Sequence, residues 1–331
     1  MEPFFRLLHF FWAALDQGRR SARKSRLVSS DRVRTVENLD SLILQDEELL
    51  KRLINSRDAD ELHDAKCTVL KDFHAIYAHD ASNAEFPEPI GHFDSEKEKS
   101  DFIQKKILLQ DMKLYLGNVY KEYHSFIYQS NNKLPEIELK KLAIDYNEIY
   151  RKAMENYVVA LVGGEYHAVT ASFVLPSLIE QGLGIVLQNR MLFKCIAQLQ
   201  GLTGEEKKII EPFLCSGKGL FYGTEKYTMG KVYQFFVEKG VLQESPDNEL
   251  VLTGSSGKRV RTLGSLLHSN FAKEEMLPEY LELMKDFFVK LNIRNCIMHG
   301  LGEAFDYLDI GLAAIMFQLL WDIADCDIFK D

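Results

Sequence analysis

The sequence predicts a mainly α-helical protein, and three observations support this class. Apolar side chains recur every three or four residues along most of the 331-residue chain, which gives each segment one apolar helical face. The chain is 46% hydrophobic, with only 8 Pro and 20 Gly, which excludes disordered, fibrous and low-complexity classes. No stretch approaches the roughly 20 uncharged apolar residues of a membrane span, so we expect a globular helical fold.

The first half of the chain predicts a succession of helices with one clear interruption. The segment 80–100 contains two prolines and many charges, which is typical of a loop or linker. The predicted helices on either side of it share apolar positions at helical spacing and cover 38–56, 60–79, 101–130 and 137–162. We interpret residues 35–150 as a helical accessory domain.

The second half begins with the most apolar predicted helix, over 166–188. Glu180 is its one acidic residue, and Pro176 lies in its middle, so we expect either a kink or two stacked pieces. The least regular part of the chain is 200–265, where the pattern predicts a short β-hairpin around 241–252.

Two strongly apolar helices are predicted at the end of the sequence, over 276–291 and 304–324. Together with the preceding segments they define a second helical domain, residues 151–331. The remaining region, residues 1–34, carries eight basic and three acidic residues, a net charge of +5 on a chain whose total is −9.

This basic arm is predicted to be an amphipathic helix that packs on the body, with contact to RNA or to a membrane surface as the alternative. Its basic residues follow the apolar run, which is the opposite of the order in a secretory signal. The five cysteines include no C-x-x-C pair. We therefore expect reduced thiols in a cytoplasmic protein.

Several familiar catalytic and binding motifs are absent from the sequence. The segment Gly254–Arg259 resembles a P-loop, but Leu252 and Arg259 stand where that motif requires Gly and Ser or Thr. The histidines show no H-x-x-x-H or H-E-x-x-H spacing and no G-x-S-x-G occurs, so neither a metal site nor another cofactor is predicted. Three cations close together, Lys258, Arg259 and Arg261, could still contact phosphates.

A polar segment, residues 291–302, interrupts the apolar helices near the end of the sequence. It contains Arg294, Asn295 and His299, and polar groups beside a helix interface are costly unless they find partners or perform a task. Five residues separate Arg294 from His299, about 140° on a regular helix. The two side chains converge only if the turn unwinds or a second subunit supplies one of them. The alternative is a polar helix junction in which these residues cap the helices.

The string R-N-x-x-x-H-G between two apolar helices resembles the HEPN superfamily, whose signature is Arg, four to six residues, then His. The phrase LNIRNCIMHGL looks like an uncharacterised branch, which also has an upstream "P-x-x-E-x-x-L-R" helix and a phrase like RTLGSLL. Here the upstream helix reads PSLIEQGLG, with Gly184 in the place of the basic residue. The resemblance covers about residues 150–331 and implies a HEPN-like helical bundle.

The resemblance implies a metal-independent endoribonuclease that acts as a homodimer. His299 would be the general acid or base, and Arg294 would bind the scissile phosphate. Asn295 would orient them and Glu180 would hold Arg294. Local phosphate contacts would come from Arg190 and from the three cations already named. The products would be a 2′,3′-cyclic phosphate and a 5′-hydroxyl.

The same resemblance leaves a second function open, since many HEPN-like domains are thought to have lost cleavage. The alternative is a non-catalytic helical module that binds RNA, nucleotide or a protein partner. For the nuclease, family analogy indicates antiviral defence, a toxin–antitoxin pair or stress response, with an antitoxin or regulatory protein as a further partner. A membrane is not an expected partner.

Overall fold

The computed structural model describes residues 47–81, 92–134, 147–215, 235–241, 263–268, 270–298 and 308–330. These ranges are almost entirely helical, which confirms the mainly α class. The β-structure within them is a single bridge between Met276 and Phe329. The arm at 1–34 and the predicted hairpin, apart from Val241, lie outside the described residues.

The helices follow one another with short connections. The longer ones are α1 (Ala59–Ala81), α2 (Glu96–Met112), α3 (Asn118–Asn131), α4 (Asn147–Leu161), α5 (Glu165–Gln198) and α6 (Gly204–Cys215). They are followed by α7 (Leu263–Leu267), α8 (Asn270–Glu275), α9 (Pro278–Lys285), α10 (Ile293–Met298) and α11 (Ile310–Asp325). Two π-helical turns occur, π1 (Lys113–Gly117) between α2 and α3 and π2 (Asp286–Lys290) after α9. Residues 47–55 are also helical.

The last helix, α11, is the centre of the fold. Every residue from 311 to 324 is buried, because α11 packs against α3, α4, α5 and π1. The helix begins at Ile310, not at residue 304 as the pattern predicts. Asp309 has extended backbone and its Oδ1 accepts a hydrogen bond from the Leu312 amide at 2.9 Å, which is an N-cap that fixes the first turn.

Backbones touch where π1 crosses α11. An added Cβ at Gly117 would lie 2.9 Å from the Cα of Gly311, which is closer than any side-chain carbon can approach. Glycine at position 117 therefore allows the two helices to meet at backbone distance. Beside this crossing, Lys113 forms an ion pair with the cap residue Asp309.

The apolar helix α5 runs unbroken through Pro176 and continues to Gln198, ten residues beyond the predicted end. Its segment Glu165–Leu187 is long and apolar enough to cross a membrane by length and composition, and 61% of that apolar window is buried inside the protein. Packing against α4 and α11 accounts for this composition, so the structure favours a core helix over a membrane span.

Residues from both predicted domains form one hydrophobic core. The core cluster extends from Leu49 to Phe329, and α4 runs across the proposed boundary at residue 150. A buried ion pair adds to this connection, because Lys66 of α1 lies 2.8 Å from Asp322 of α11 and 2.9 Å from Asp327. The described parts of 35–150 and 151–331 are therefore packed together and do not have separate cores.

Candidate functional site

Arg294 lies on α10, a short helix that follows π2. The chain enters α10 through Asn292, whose φ is +52°, a left-handed conformation that asparagine adopts more readily than most residues. Ile293 and Ile297 are buried at 6% and 2% exposure, so they anchor one side of the helix. The side chain of Arg294 lies on the other side and is 44% exposed.

The packing of α10 on α5 brings Arg294 to Glu180. Nε of Arg294 lies 2.5 Å from Oε2 of Glu180, in a close ion pair that is not aligned as a regular hydrogen bond. Glu180 is 26% exposed. Burial raises the pKa of the Glu180 carboxyl, and the positive charge of Arg294 opposes that shift.

The ion pair uses only one edge of the guanidinium. Within the described ranges, the two terminal nitrogens of Arg294 have no hydrogen-bond or ion-pair partner. A guanidinium carries five donors in a planar fork, so those two nitrogens can bind an anion while Nε stays with Glu180. The geometry therefore provides a partly exposed cation whose orientation is fixed from the neighbouring helix.

Asn295 and Cys296 are engaged locally. Nδ2 of Asn295 donates to Oδ1 of Asn292 at 2.8 Å, which closes the turn that opens α10. The Cys296 thiol lies 3.6 Å from the carbonyl oxygen of Leu291, and burial raises the pKa of that thiol. A raised pKa disfavours the thiolate form, so Cys296 is a poor nucleophile. The role of Asn295 toward His299 or a phosphate stays a prediction.

Four of the predicted site residues lie outside the described part of the chain: His299, Lys258, Arg259 and Arg261. The meeting of His299 with Arg294 therefore stays a prediction. Met298, which directly precedes His299, shares the exposed side of α10 with Arg294 and is 55% exposed.

Arg190 lies ten residues after Glu180 on α5, which is about 15 Å along a helix axis. Its Nε lies 3.0 Å from the buried carboxylate of Glu275, its Nη2 donates to the carbonyl of Lys330 at 2.7 Å, and its guanidinium lies 4.8 Å from the Phe329 ring centroid. The structure thus places Arg190 beside the C-terminal segment, away from Arg294. Its predicted contact with phosphate is untested.

Gly184 lies one turn after Glu180 and is buried. An added Cβ there would meet nothing within 4 Å. The basic side chain that the resemblance expects at this position is absent, although the backbone leaves room for a first side-chain atom.

The sequence analysis did not find two charged groupings. One surrounds Glu275, and its signal was the spacing of Arg190 and Lys194, four residues apart on α5 and therefore on one face. The other is a buried polar chain that runs from Lys66 through Asp322 and Gln318. Its signal was Lys66 itself, which lies on the apolar stripe of α1, four residues from both Leu62 and Leu70.

No protein-family model, curated protein or solved structure matches the chain. The HEPN resemblance therefore rests on the residues quoted for it. In the described ranges, no group of three or more His, Cys, Asp or Glu side chains is placed to hold a metal ion.

Proposed function

We propose that the chain is a HEPN-type endoribonuclease that needs no metal ion. The observation that carries the proposal is the ion pair between Arg294 and Glu180, which leaves the terminal nitrogens of a 44% exposed guanidinium without a described partner. A guanidinium held in this way matches the oxygens of a phosphodiester. The Arg and His of the resemblance then supply the two groups that cleavage of RNA requires.

In the proposed reaction, the ribose 2′-oxygen attacks the phosphorus and the bond to the 5′-oxygen breaks. The 2′-hydroxyl loses a proton and the leaving 5′-oxygen gains one, so the products are a 2′,3′-cyclic phosphate and a 5′-hydroxyl. His299 performs one of these proton transfers, because an imidazole titrates near neutral pH. Arg294 stabilises the charge that develops on the phosphoryl oxygens.

Glu180 is a positioning residue in this scheme. Its carboxylate holds Nε of Arg294 at 2.5 Å from a different helix, so the guanidinium does not have to be ordered when the substrate arrives. The pair is neutral in sum, so Arg294 adds no excess positive charge at this point of an acidic protein. We therefore expect weak, salt-sensitive binding of RNA.

A homodimer in the cytoplasm is part of the proposal. Arg294 and His299 are five residues apart, and a two-fold axis brings two such pairs to one cleft. Family analogy supplies the cellular role, which is antiviral defence, a toxin–antitoxin pair or stress response. An antitoxin or regulatory protein would then control the activity.

The proposal is tested by incubating a structured, end-labelled RNA with the protein in EDTA. We expect cleavage that Arg294→Ala and His299→Ala each abolish, and fragments that end in a cyclic phosphate. The matched control is Arg151→Ala, which removes an exposed arginine that is paired with Glu155 at 2.9 Å on α4. A 2′-deoxy nucleotide at the cleaved position should block the reaction. Intact RNA over a range of substrates would refute the nuclease.

The second candidate is a helical module that binds RNA, nucleotide or a protein partner without cleaving. Gly184 favours it, because this buried position lacks the basic residue that the resemblance expects. For this function the Arg294→Ala variant would lose binding while the wild-type protein leaves every RNA uncut.

A further inference from the structure

Four basic residues surround one buried carboxylate at the C-terminal end of α5. We call this group the basic cluster: Arg190, Lys194, Lys273 and Lys330. Glu275, at 2% exposure, pairs with Arg190 at 3.0 Å and with the Lys194 ammonium. Arg190 donates to the carbonyl of Lys330 at 2.7 Å, and the Lys330 ammonium donates to the carbonyl of Lys273 at 2.8 Å. These contacts place all four side chains on one local surface.

The cluster keeps an excess of positive charge that faces solvent. Glu275 and the exposed Glu274 are the acidic residues adjoining Lys273 in the chain, so they offset only part of the four positive charges. Lys194 is 58% exposed and Arg190 is 31% exposed. A lysine ammonium has three donors, so Lys194 can contact a second anion while it stays paired with Glu275. The cluster is a cationic surface on a chain with a net charge of −9.

The cluster is also held in place. The Arg190 guanidinium lies over the Phe329 ring at 4.8 Å, and the amide of Lys330 donates to the carbonyl of Glu275 at 2.8 Å. Because these side chains are fixed before a ligand arrives, binding an anion would cost less side-chain entropy than binding at free surface lysines.

The position of the cluster relative to Arg294 suits an extended polyanion. Arg190 and Lys194 follow Glu180 by ten and fourteen residues, about 15 and 21 Å along a helix axis, and all three project within an arc of about 80°. Residues 182–187 between them are buried, so a strand would cross the elements that pack on α5. In a stacked strand the phosphates are about 3.4 Å apart along the axis, so the span corresponds to about five nucleotides.

We propose that the basic cluster is a second contact surface for the phosphate backbone of RNA. It holds the strand about five nucleotides from the phosphodiester at Arg294, and it does so without regard to base sequence. The identity of the polyanion as RNA rests on the proposed function. The cluster contacts phosphates only, so a single strand of DNA of the same length should bind to it equally well.

The binding test uses a 2′-O-methyl oligouridine of about twelve residues, which cannot be cleaved by attack of its 2′-oxygen. Fluorescence anisotropy is measured against salt concentration for the wild-type protein and the double variant Lys194→Gln/Lys273→Gln. Loss of two phosphate contacts should weaken binding about 25-fold at 0.1 M salt and reduce the log–log salt slope by about 1.4. The variant Lys194→Arg/Lys273→Arg should bind like the wild-type protein.

The matched control is Lys51→Gln/Lys152→Gln, which removes the same charge from two exposed lysines elsewhere and should leave binding unchanged. Cleavage distinguishes the two proposals. If the wild-type protein cuts RNA but the Lys194→Gln/Lys273→Gln variant binds and cuts a twelve-residue strand normally, the cluster is overturned and the nuclease stands. If the variant loses binding selectively while no RNA is ever cut, the cluster stands and the nuclease fails. A wild-type protein that does not bind the strand overturns the cluster.

Discussion

His124 makes the stability of the fold sensitive to mild acid. Its ring is completely buried between α3 and α11, where Nε2 contacts Oε1 of Gln318 at 2.7 Å and Nδ1 contacts the Tyr157 hydroxyl. Burial, with a smaller contribution from the charge of Lys66, lowers the pKa of His124 to about 3 from its ordinary 6.5. The folded protein therefore keeps the imidazole neutral at pH values where the unfolded chain protonates it.

Unfolding at these pH values takes up a proton, so acid favours the unfolded state. The free energy of unfolding changes by about 1.4 kcal/mol per pH unit for one proton. At pH 5 the unfolded chain is almost fully protonated at this site while the folded chain is almost fully neutral. His124 alone should therefore remove about 2 kcal/mol of stability between pH 8 and pH 5, with the loss beginning near pH 6.5.

The assay is urea unfolding of the wild-type protein and of His124→Gln at several pH values. The Trp321 ring, 6.1 Å from the His124 ring, provides a fluorescence signal. Titrating groups common to both proteins cancel in the difference between their unfolding free energies, which should shrink by about 2 kcal/mol from pH 8 to pH 5. The variant His167→Gln, at an exposed position of α5, controls for loss of a histidine as such. A difference that stays constant or grows toward acid would refute the reasoning.

Three further predictions concern the buried ion pair, the helix crossing and the candidate site. Lys66→Met should cost about 3–5 kcal/mol in urea unfolding because it leaves the buried Asp322 carboxylate unpaired, and adding Asp322→Asn should recover part of that loss. Gly117→Ala should destabilise by about 1–3 kcal/mol because its Cβ meets backbone at 2.9 Å, whereas Gly184→Ala, whose Cβ meets nothing within 4 Å, should stabilise by about 1 kcal/mol. Glu180→Gln should lower kcat for RNA cleavage about tenfold without raising KM, since it weakens the positioning of Arg294 but leaves the cation in place; an increase in KM alone would contradict the positioning role.

Helical periodicity predicted where helices lie better than it predicted where they end. The stripe over 60–79 predicted α1 to within two residues at either end, because three- and four-residue spacing marks a helix that packs with one face on the core. The same spacing did not reveal π1 inside the predicted helix 101–130. A π-turn shifts the register by a single residue, and the sequence shows no sign of the crossing at Gly117 that requires it.

The continuation of α5 to Gln198 was not predictable from the apolar pattern. That pattern ends at residue 188, where Arg190 and Lys194 begin the polar part of the helix. Their partner, Glu275, comes from α8, and its distance in sequence hides the pairing. The charged end of α5 is thus a consequence of tertiary contacts, which override local preference.

The candidate site divides in the same way. Arg294 and Asn295 stood out as polar residues among apolar helices, and the resemblance connected Arg294 with Glu180. No spacing rule links residues on α5 and α10, so without the resemblance only the structure could have brought the 2.5 Å pair together. Asn292 escaped attention because its left-handed backbone and its bond to Asn295 are properties of the folded turn.

The acidic charge of the whole protein and a surface that binds RNA are compatible because electrostatic forces are short-ranged in salt. At physiological ionic strength the screening length is about 8 Å, so a phosphate at the basic cluster is attracted by the nearby cations and is little affected by carboxylates elsewhere. At very low salt the range extends to about 30 Å, and the net charge of −9 then repels the strand as it approaches. Lowering the salt concentration should therefore strengthen binding less steeply in that range than the contacts alone dictate, and the salt slope is best measured near and above 0.1 M.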